Sequence, residues 1–203
     1  MHTVMSKSSQ GLRHAEIERE TKETKVYINL GFDGGSKQDI KTGVGFFDHM
    51  LQQLGFHGML DLGVSCEGDL HIDDHHTIED VGITLGQAIR KALHDSPIAR
   101  FASLHVPMDD ALVLVAIDVS GRGALGFNVP FARETIGDMS TECVREFFKS
   151  VALHAGINLH MLKIAGENDH HVCEALFKGF GIVLYRAAEP VDRQGPASTK
   201  GVL

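Results

Sequence analysis

The chain writes one metal-ligand pattern twice. Asp74-His75-His76-Thr77-Ile78-Glu79 returns as Asp169-His170-His171-Val172-Cys173-Glu174, 95 positions further on. The same offset pairs Gly86 with Gly181. A repeat of this kind implies an internal duplication, each half built alike and each carrying one His-His-x-x-Glu segment. If a helix begins at the histidines, His75 and Glu79 are spaced i, i+4 and share a face. His76 lies one residue on, about 100° around the axis, and points elsewhere. His170 and Glu174 repeat the first relation, and His171 repeats the second. Imidazole nitrogen with carboxylate oxygen suits Mn, Fe, Zn or Ni, and cysteine is not among the repeated positions. One copy is compatible with a His-capped surface helix; two copies point to metal bound twice.

Hydrophobic periodicity fills in the halves. Val26, Ile28 and Leu30 alternate with polar residues and predict a half-buried strand, followed by a turn at 31–35 and a second strand. Residues 46–54 read as a helix with Phe47, Met50, Leu51 and Leu54 inward, 60–65 as a strand and 67–69 as a turn. Ile78, Val81, Leu85, Ile89 and Leu93 give a helix over 77–94, with Asp74 as its N-cap. Asp95-Ser96-Pro97 marks the boundary. The second cycle has strands at 111–117 and 127–131, a helix over 141–155 and a strand over 157–164. A turn at 166–168 leads to a helix over 171–188. Residues 13–24 are charged and carry no assigned element. The expected layout is therefore α+β, with a first half at 1–95, a second at 96–188 and a tail at 189–203.

Of the 203 residues, 43% are hydrophobic and the formal net charge is −8, so no basic footprint argues for nucleic acid. No apolar run reaches the roughly 18 residues of a membrane span. The first ten residues are polar and lack the apolar stretch of a secretory signal. Three cysteines, Cys66, Cys143 and Cys173, fit a reducing cytosol and offer neither a disulfide framework nor a thiolate metal site. Among other residues that could carry chemistry, His49 sits on a helix in the half that also supplies His75 and His76. The matching helix of the second half has Glu146 before Phe147-Phe148, and a carboxylate there reads equally as ligand, base or solvated residue. His154 and His160 read as structural.

From Glu23 to Lys200 these motifs resemble one family, imidazoleglycerol-phosphate dehydratase of histidine biosynthesis. The resemblance runs through Thr21-Lys22-Glu23-Thr24, Phe46-Phe47-Asp48-His49-Met50-Leu51, both His-His-x-x-Glu segments, Ser120-Gly121-Arg122, Leu159-His160 and Ser198-Thr199-Lys200-Gly201. It implies two similar α+β halves packed together, a ribosomal S5 domain 2-like fold, and a cytoplasmic enzyme without a phosphatase domain. It also implies a homo-oligomer of 24 subunits built from trimers, active sites shared between subunits, and two Mn2+ ions per site. Carried over by position, the metal ligands are His49, His75, His76, Glu79, His170, His171 and Glu174. Glu23 falls where the family has a substrate-contacting carboxylate, and Glu23, Glu79 and Glu174 are the catalytic carboxylates. Arg100, Arg122, Ser198, Thr199 and Lys200 match contacts to the substrate and its phosphate. One departure stands out: some members carry His where this chain has Glu146.

The implied reaction explains the ligand set. No carbonyl sits beside the proton that must leave, so the imidazole ring does the work a carbonyl does elsewhere, and a divalent ion on a ring nitrogen favours the deprotonated ring. Glu23 is then the leading base, and Arg and Lys offer the phosphate a fork and a point charge. A binuclear phosphate-ester hydrolase and a non-catalytic metal-storage shell share the metal motifs but not the full run of motifs.

Overall fold

A computed structural model describes residues 13–93 and 97–192. The expected boundary at 95/96 and the tail residues Ser198, Thr199 and Lys200 lie outside the described residues. The first sheet takes β1 (His14–Glu20), β2 (Thr24–Gly31), β3 (Gln38–Lys41) and β4 (Asp61–Gly68), with α1 (Gly45–His57) before β4 and α2 (His75–Leu93) after it. The second takes β5 (Phe101–Met108), β6 (Ala111–Asp118), β7 (Ala124–Asn128) and β10 (Asn158–Ala165). A small hairpin, β8 (Thr135–Ile136) and β9 (Met139–Ser140), precedes α3 (Thr141–Ala155), and α4 (Asp169–Ala187) follows β10.

The two sheets have one topology. Their orders are β1-β2-β4-β3 and β5-β6-β10-β7. In each, the first three neighbours pair antiparallel and the last strand adds in parallel. The fold is thus a duplicated α+β unit. Each sheet alternates along its strands: Val26, Ile28, Leu30, Leu62 and Val64 are buried on one, Val113, Val115, Ile117, Leu159 and Met161 on the other. The buried faces meet helices. α2 lies on β1 and β2, and α4 on β5 and β6. The helices then pack across the duplication, α2 on α3 and α1 on α4. Phe47, Phe147, Phe148, Phe177 and Phe180, all fully buried, fill the space between them in edge-on and stacked pairs.

Two strands escape a reading of apolar periodicity. β1 alternates, but three of its outward positions are Glu16, Glu18 and Glu20, and only Ala15 is fully buried. β5 places Ala102, Leu104, Val106 and Met108 inward, with Pro107 in the run. Both are edge strands, where charge is solvated and a missing N–H breaks no ladder.

The helix starts also differ in detail from expectation. Asp73, not Asp74, caps α2: its Oδ1 accepts from the His75 N–H at 2.9 Å. Its counterpart Asn168 does the same for His170 at 3.0 Å. Asp74 instead accepts from the Ser140 N–H at 2.6 Å and hydroxyl at 2.9 Å. Asp169 likewise reaches away, accepting from Ala132 and Arg133 N–H. Each motif's first aspartate therefore ties its helix to the 131–140 segment. α1 has no cap of its own; Asp138 accepts from the Gly45 and Phe46 N–H groups at 2.6 and 2.9 Å.

Candidate metal centre

The duplicated glycines position the motif helices. A Cβ on Gly181 of α4 would stand 2.2 Å from the Leu54 carbonyl oxygen and 3.0 Å from the Gly58 nitrogen of α1. A Cβ on Gly86 of α2 would stand 2.8 Å from the Val151 oxygen and 3.0 Å from the Ala155 nitrogen of α3. Only glycine lets these backbones touch. Each contact lies two turns beyond the motif glutamate, so it sets how near the neighbouring helix comes to the ligands.

At the α1–α4 contact, His49, His170 and Glu174 bring ligand atoms within 4.8 Å of one another. Glu174 Oε2 lies 3.2 Å from His170 Nε2 and 3.7 Å from His49 Nε2. Its other oxygen is 2.6 Å from Lys178 Nζ. Burial works to raise the Glu174 carboxyl; the Lys178 hydrogen bond and charge, with His49 and His170, outweigh it and hold the group below its ordinary range. His49 therefore joins the motif of the other half, not His75 and His76 of its own, because α1 packs on α4.

At the α2–α3 contact, His75 Nε2 lies 3.8 Å from Glu79 Oε2. His75 and Glu146 line a cavity of about 840 Å³ with Glu142, Arg145 and the 127–131 segment. Glu146 accepts from Arg145 at 3.0 Å and from Lys149 at 2.7 Å. The Lys149 hydrogen bond chiefly lowers its carboxyl, against burial, with the charges of Lys149, Arg145 and His75 adding to it.

The second histidine of each motif meets a carboxylate through Nδ1. His171 Nδ1 lies 2.6 Å from Asp110 Oδ1, on the β5–β6 turn. Asp110 Oδ2 also accepts from the Glu167 and Asn168 N–H groups at 2.7 and 3.1 Å, so it fixes the approach to α4. His76 Nδ1 lies 3.1 Å from Asp69. With the Nδ1 proton donated to a carboxylate, each ring presents the Nε2 lone pair, the arrangement of a metal-ligating histidine. The Asp69 hydrogen bond also raises the His76 imidazole above its usual value, against desolvation. His76 Nε2 faces Glu23 Oε1 at 3.9 Å, and the Glu23 carbonyl accepts from the Asp69 N–H. Asp69 and Asp110 carry no signal in sequence spacing, since turns and packing alone bring them to the motifs, whereas Lys178 follows Glu174 at i, i+4 on α4 and is legible from spacing.

Arg100 and Arg122 belong to the second half. Arg100 sits at φ 77°, forks onto Asp118 at 2.6 and 3.1 Å, and lies 4.7 Å from the Phe101 ring centroid. Arg122 is exposed at the turn after β6, with its N–H on the Ser120 hydroxyl. His154 Nδ1 donates to the Ser150 carbonyl one turn back, and His160 lies on the outward face of β10. The three thiols are buried and free; burial pushes Cys66 up to about 11 and Cys143 up to about 12. No described helix is long and apolar enough to cross a membrane.

A model of the imidazoleglycerol-phosphate dehydratase family matches residues 42–184. Curated relatives of that name include one from Acidiphilium cryptum, 55% identical over 194 residues, 94% of this chain and 99% of that protein. Another, from Caldicellulosiruptor saccharolyticus, is 53% identical over 94% of this chain and 98% of its own length. Two solved structures of the same name superpose. The one from Staphylococcus aureus has a TM-score of 0.78 at 36% identity, covering 88% of this chain and 99% of that one. The one from Pyrococcus furiosus, in complex with (S)-C348, has a TM-score of 0.77 at 37% identity, covering 92% and 100%. The chain belongs to the imidazoleglycerol-phosphate dehydratase family and is an enzyme of the hydro-lyase class.

Proposed function

We propose that this chain removes water from imidazole glycerol phosphate to give imidazole acetol phosphate, in a manganese-dependent step of histidine biosynthesis in the cytoplasm. The observation that carries the reading is the convergence of His49, His170 and Glu174, within a chain of this family. The donor set fits a divalent ion, since it pairs imidazole nitrogens with a carboxylate oxygen already held below its usual protonation range. His49, His170 and Glu174 would hold one ion, and His75 and Glu79 another. His76 and His171 present Nε2 away from these two groups. A divalent transition ion commonly takes four or more ligands. Among the described residues neither group reaches that number, which supports active sites completed between copies, as in the proposed 24-subunit assembly of trimers.

A bound divalent ion would supply Lewis-acid polarisation of the substrate imidazole. Everything else falls to the chain's own side chains. Glu23, exposed on the β1–β2 turn and 3.9 Å from His76, is the base that takes the proton from the substrate carbon. Glu79 and Glu174 remain as ligand carboxylates close to the reacting groups. Asp69 and Asp110 orient His76 and His171. Arg100 and Arg122, with Ser198, Thr199 and Lys200 of the 189–203 tail, bind the phosphate dianion and give an acidic protein a local basic pocket. In this layout residues 1–95 and 96–188 act as two halves of one unit, and the 189–203 tail contributes to substrate binding.

The test is turnover of imidazole glycerol phosphate by purified protein loaded with manganese, beside a chelated sample. Activity that vanishes on chelation and returns with manganese supports the assignment. A folded, metal-replete sample without turnover overturns it, and release of inorganic phosphate would then identify a hydrolase.

A further inference from the structure

The duplication separates what the fold needs from what only one half does. Val26 pairs with Arg19 across β1 and β2, and Val113 pairs with Val106 across β5 and β6. Thr24 opens β2 two residues before Val26, and Ala111 opens β6 two residues before Val113. Asp80 and Ala175 follow the two motif glutamates. Arg19, Thr24 and Asp80 of the first half therefore stand where the second half has Val106, Ala111 and Ala175. All three apolar counterparts are buried. In the first half the same place holds the Asp80 carboxylate, 6% exposed. Its Oδ1 accepts from Arg19 Nε at 3.0 Å, and its Oδ2 accepts from the Thr24 hydroxyl. A buried ion pair is seldom more stabilising than apolar side chains of similar volume. The second half shows that this topology closes without one.

The first half also carries a longer turn. Thr21-Lys22-Glu23 join β1 to β2, whereas only Asp109 and Asp110 join β5 to β6. A two-residue hairpin turn is fixed by its flanking ladder; the longer turn needs an anchor. We propose that Asp80 is a positioning residue for Glu23: it fixes the β1–β2 turn on α2, so that the Glu23 carboxylate is held against His76. This rests on Glu23 as the base in the reading above and deepens it. Asp80 lies four residues after His76, on the same face of α2. Through Arg19 and Thr24 it grips the end of β1 and the start of β2, and the Thr21 hydroxyl lies 3.5 Å from its Oδ2. That hydroxyl oxygen accepts from the Glu23 and Thr24 N–H groups at 3.1 and 3.0 Å. The Glu23 carbonyl accepts from the Asp69 N–H at 3.1 Å, and the Asp69 carboxylate holds His76 Nδ1. The Glu23 backbone is thus fixed on both sides, while its side chain, 53% exposed, faces His76 Nε2 at 3.9 Å. A base so exposed has little packing of its own to aim it, and the turn supplies the aim.

The experiment is a double-mutant cycle on the full, manganese-loaded chain turning over imidazole glycerol phosphate. The triple variant Arg19→Val/Thr24→Ala/Asp80→Ala installs the apolar set of the second half and leaves no unpaired buried charge. It is made in the wild type and in Glu23→Gln. In the wild-type background kcat should fall about 10–100-fold, with KM and bound manganese little changed. In the Glu23→Gln background the further loss should be less than about twofold, because a residue that acts through Glu23 has nothing left to aim. In the metal-free protein the Glu23 and Thr24 amides should exchange with solvent about tenfold faster in the triple variant. Asp80→Asn has one oxygen to accept from Arg19 or from Thr24 but not from both. It should show a smaller loss with the same non-additivity, and it serves the cycle where the triple variant does not fold. Equal losses in both backgrounds, or no loss in the wild-type background, would overturn the proposal. Near-normal turnover of Glu23→Gln alone would instead remove the base reading beneath it, and the proposal with it.

Discussion

The Gly181 contact lets a stability change and a site change be traced to one methyl group. A Cβ at Gly181 would lie 2.2 Å from the Leu54 oxygen, whereas carbon and oxygen settle at no less than about 3.4 Å, so α1 and α4 must part by roughly 1.2 Å. Both sides are backbone, and no rotamer change can absorb the clash. Overpacking of this kind costs about 1–3 kcal/mol, and a rigid obstacle places Gly181→Ala toward the upper end. For a chain of this length that is a fall in Tm of roughly 4–12 °C. The same parting acts on the ligands. Gly181 is seven residues past Glu174, about 10 Å along the helix, so much of the displacement reaches the 3.7 Å His49–Glu174 pair. A shift near 1 Å at a ligand costs on the order of 100-fold in activity. Thermal unfolding and manganese titration on Gly181→Ala should show both losses. Gly35→Ala, where a Cβ meets nothing within 4 Å, serves as the control. A Gly181→Ala protein with wild-type Tm and wild-type metal affinity would refute the claim that glycine contact sets the ligand geometry.

Glu23→Gln should lower kcat by about 10²–10⁴-fold with metal content unchanged; near-normal turnover would remove Glu23 as the base. Asp110→Asn leaves His171 without its carboxylate partner and should weaken metal binding about 10–100-fold in a titration, while a circular dichroism spectrum stays unchanged. Deleting residues 197–203 should raise the substrate KM markedly with kcat less affected, and an unchanged KM would show that the tail makes no substrate contact. Glu174 is held below its ordinary value of 4.5, so its ionised form stabilises the fold above about pH 4.5, and that contribution is lost as pH falls through the depressed folded-state value. Asp33, held down chiefly by its hydrogen bond from Arg13, has the same sign. These two carboxylates should therefore make Tm decline as pH falls below about 4.5; a Tm that stays constant or rises from pH 4.5 to 3 would contradict these shifts.

The parts legible in the sequence are those where one residue pattern decides the outcome. The apolar spacing of Ile78, Val81, Leu85 and Ile89 makes α2, and the 95-residue offset alone announces α4 and the duplication. The alternation of β2 and the apolar run of β6 are equally direct. The rest depends on partners far along the chain. β1 and β5 are edge strands whose polarity hides their period. The α1 cap is a carboxylate 93 residues away from Gly45. Asp69 and Asp110 look like ordinary turn residues until the fold sets them against the histidines. The partner of His49 was not deducible from position, because helix packing crosses between halves while sequence proximity does not.

That crossing has an energetic consequence. His170 and Glu174 come from the second half and His49 from the first. Neither half alone supplies the His49–His170–Glu174 group. An ion bound at this group would therefore bridge α1 to α4, and binding would stabilise the packing of the halves as well as the ligand shell. At a metal concentration 100 times Kd this linkage is about 2.7 kcal/mol per site. It acts on the same glycine-lined contact that sets the ligand spacing, so metal affinity and stability should move together across variants at Gly181. Buried hydrophobic positions remote from that contact, such as Val26 on β2, lower stability on truncation without that coupling. The duplicated glycine is thus tied to the duplicated ligands by physics as well as by offset: a repeat that kept the His-His-x-x-Glu segments but lost the close helix contact would hold its ligands too far apart to share an ion.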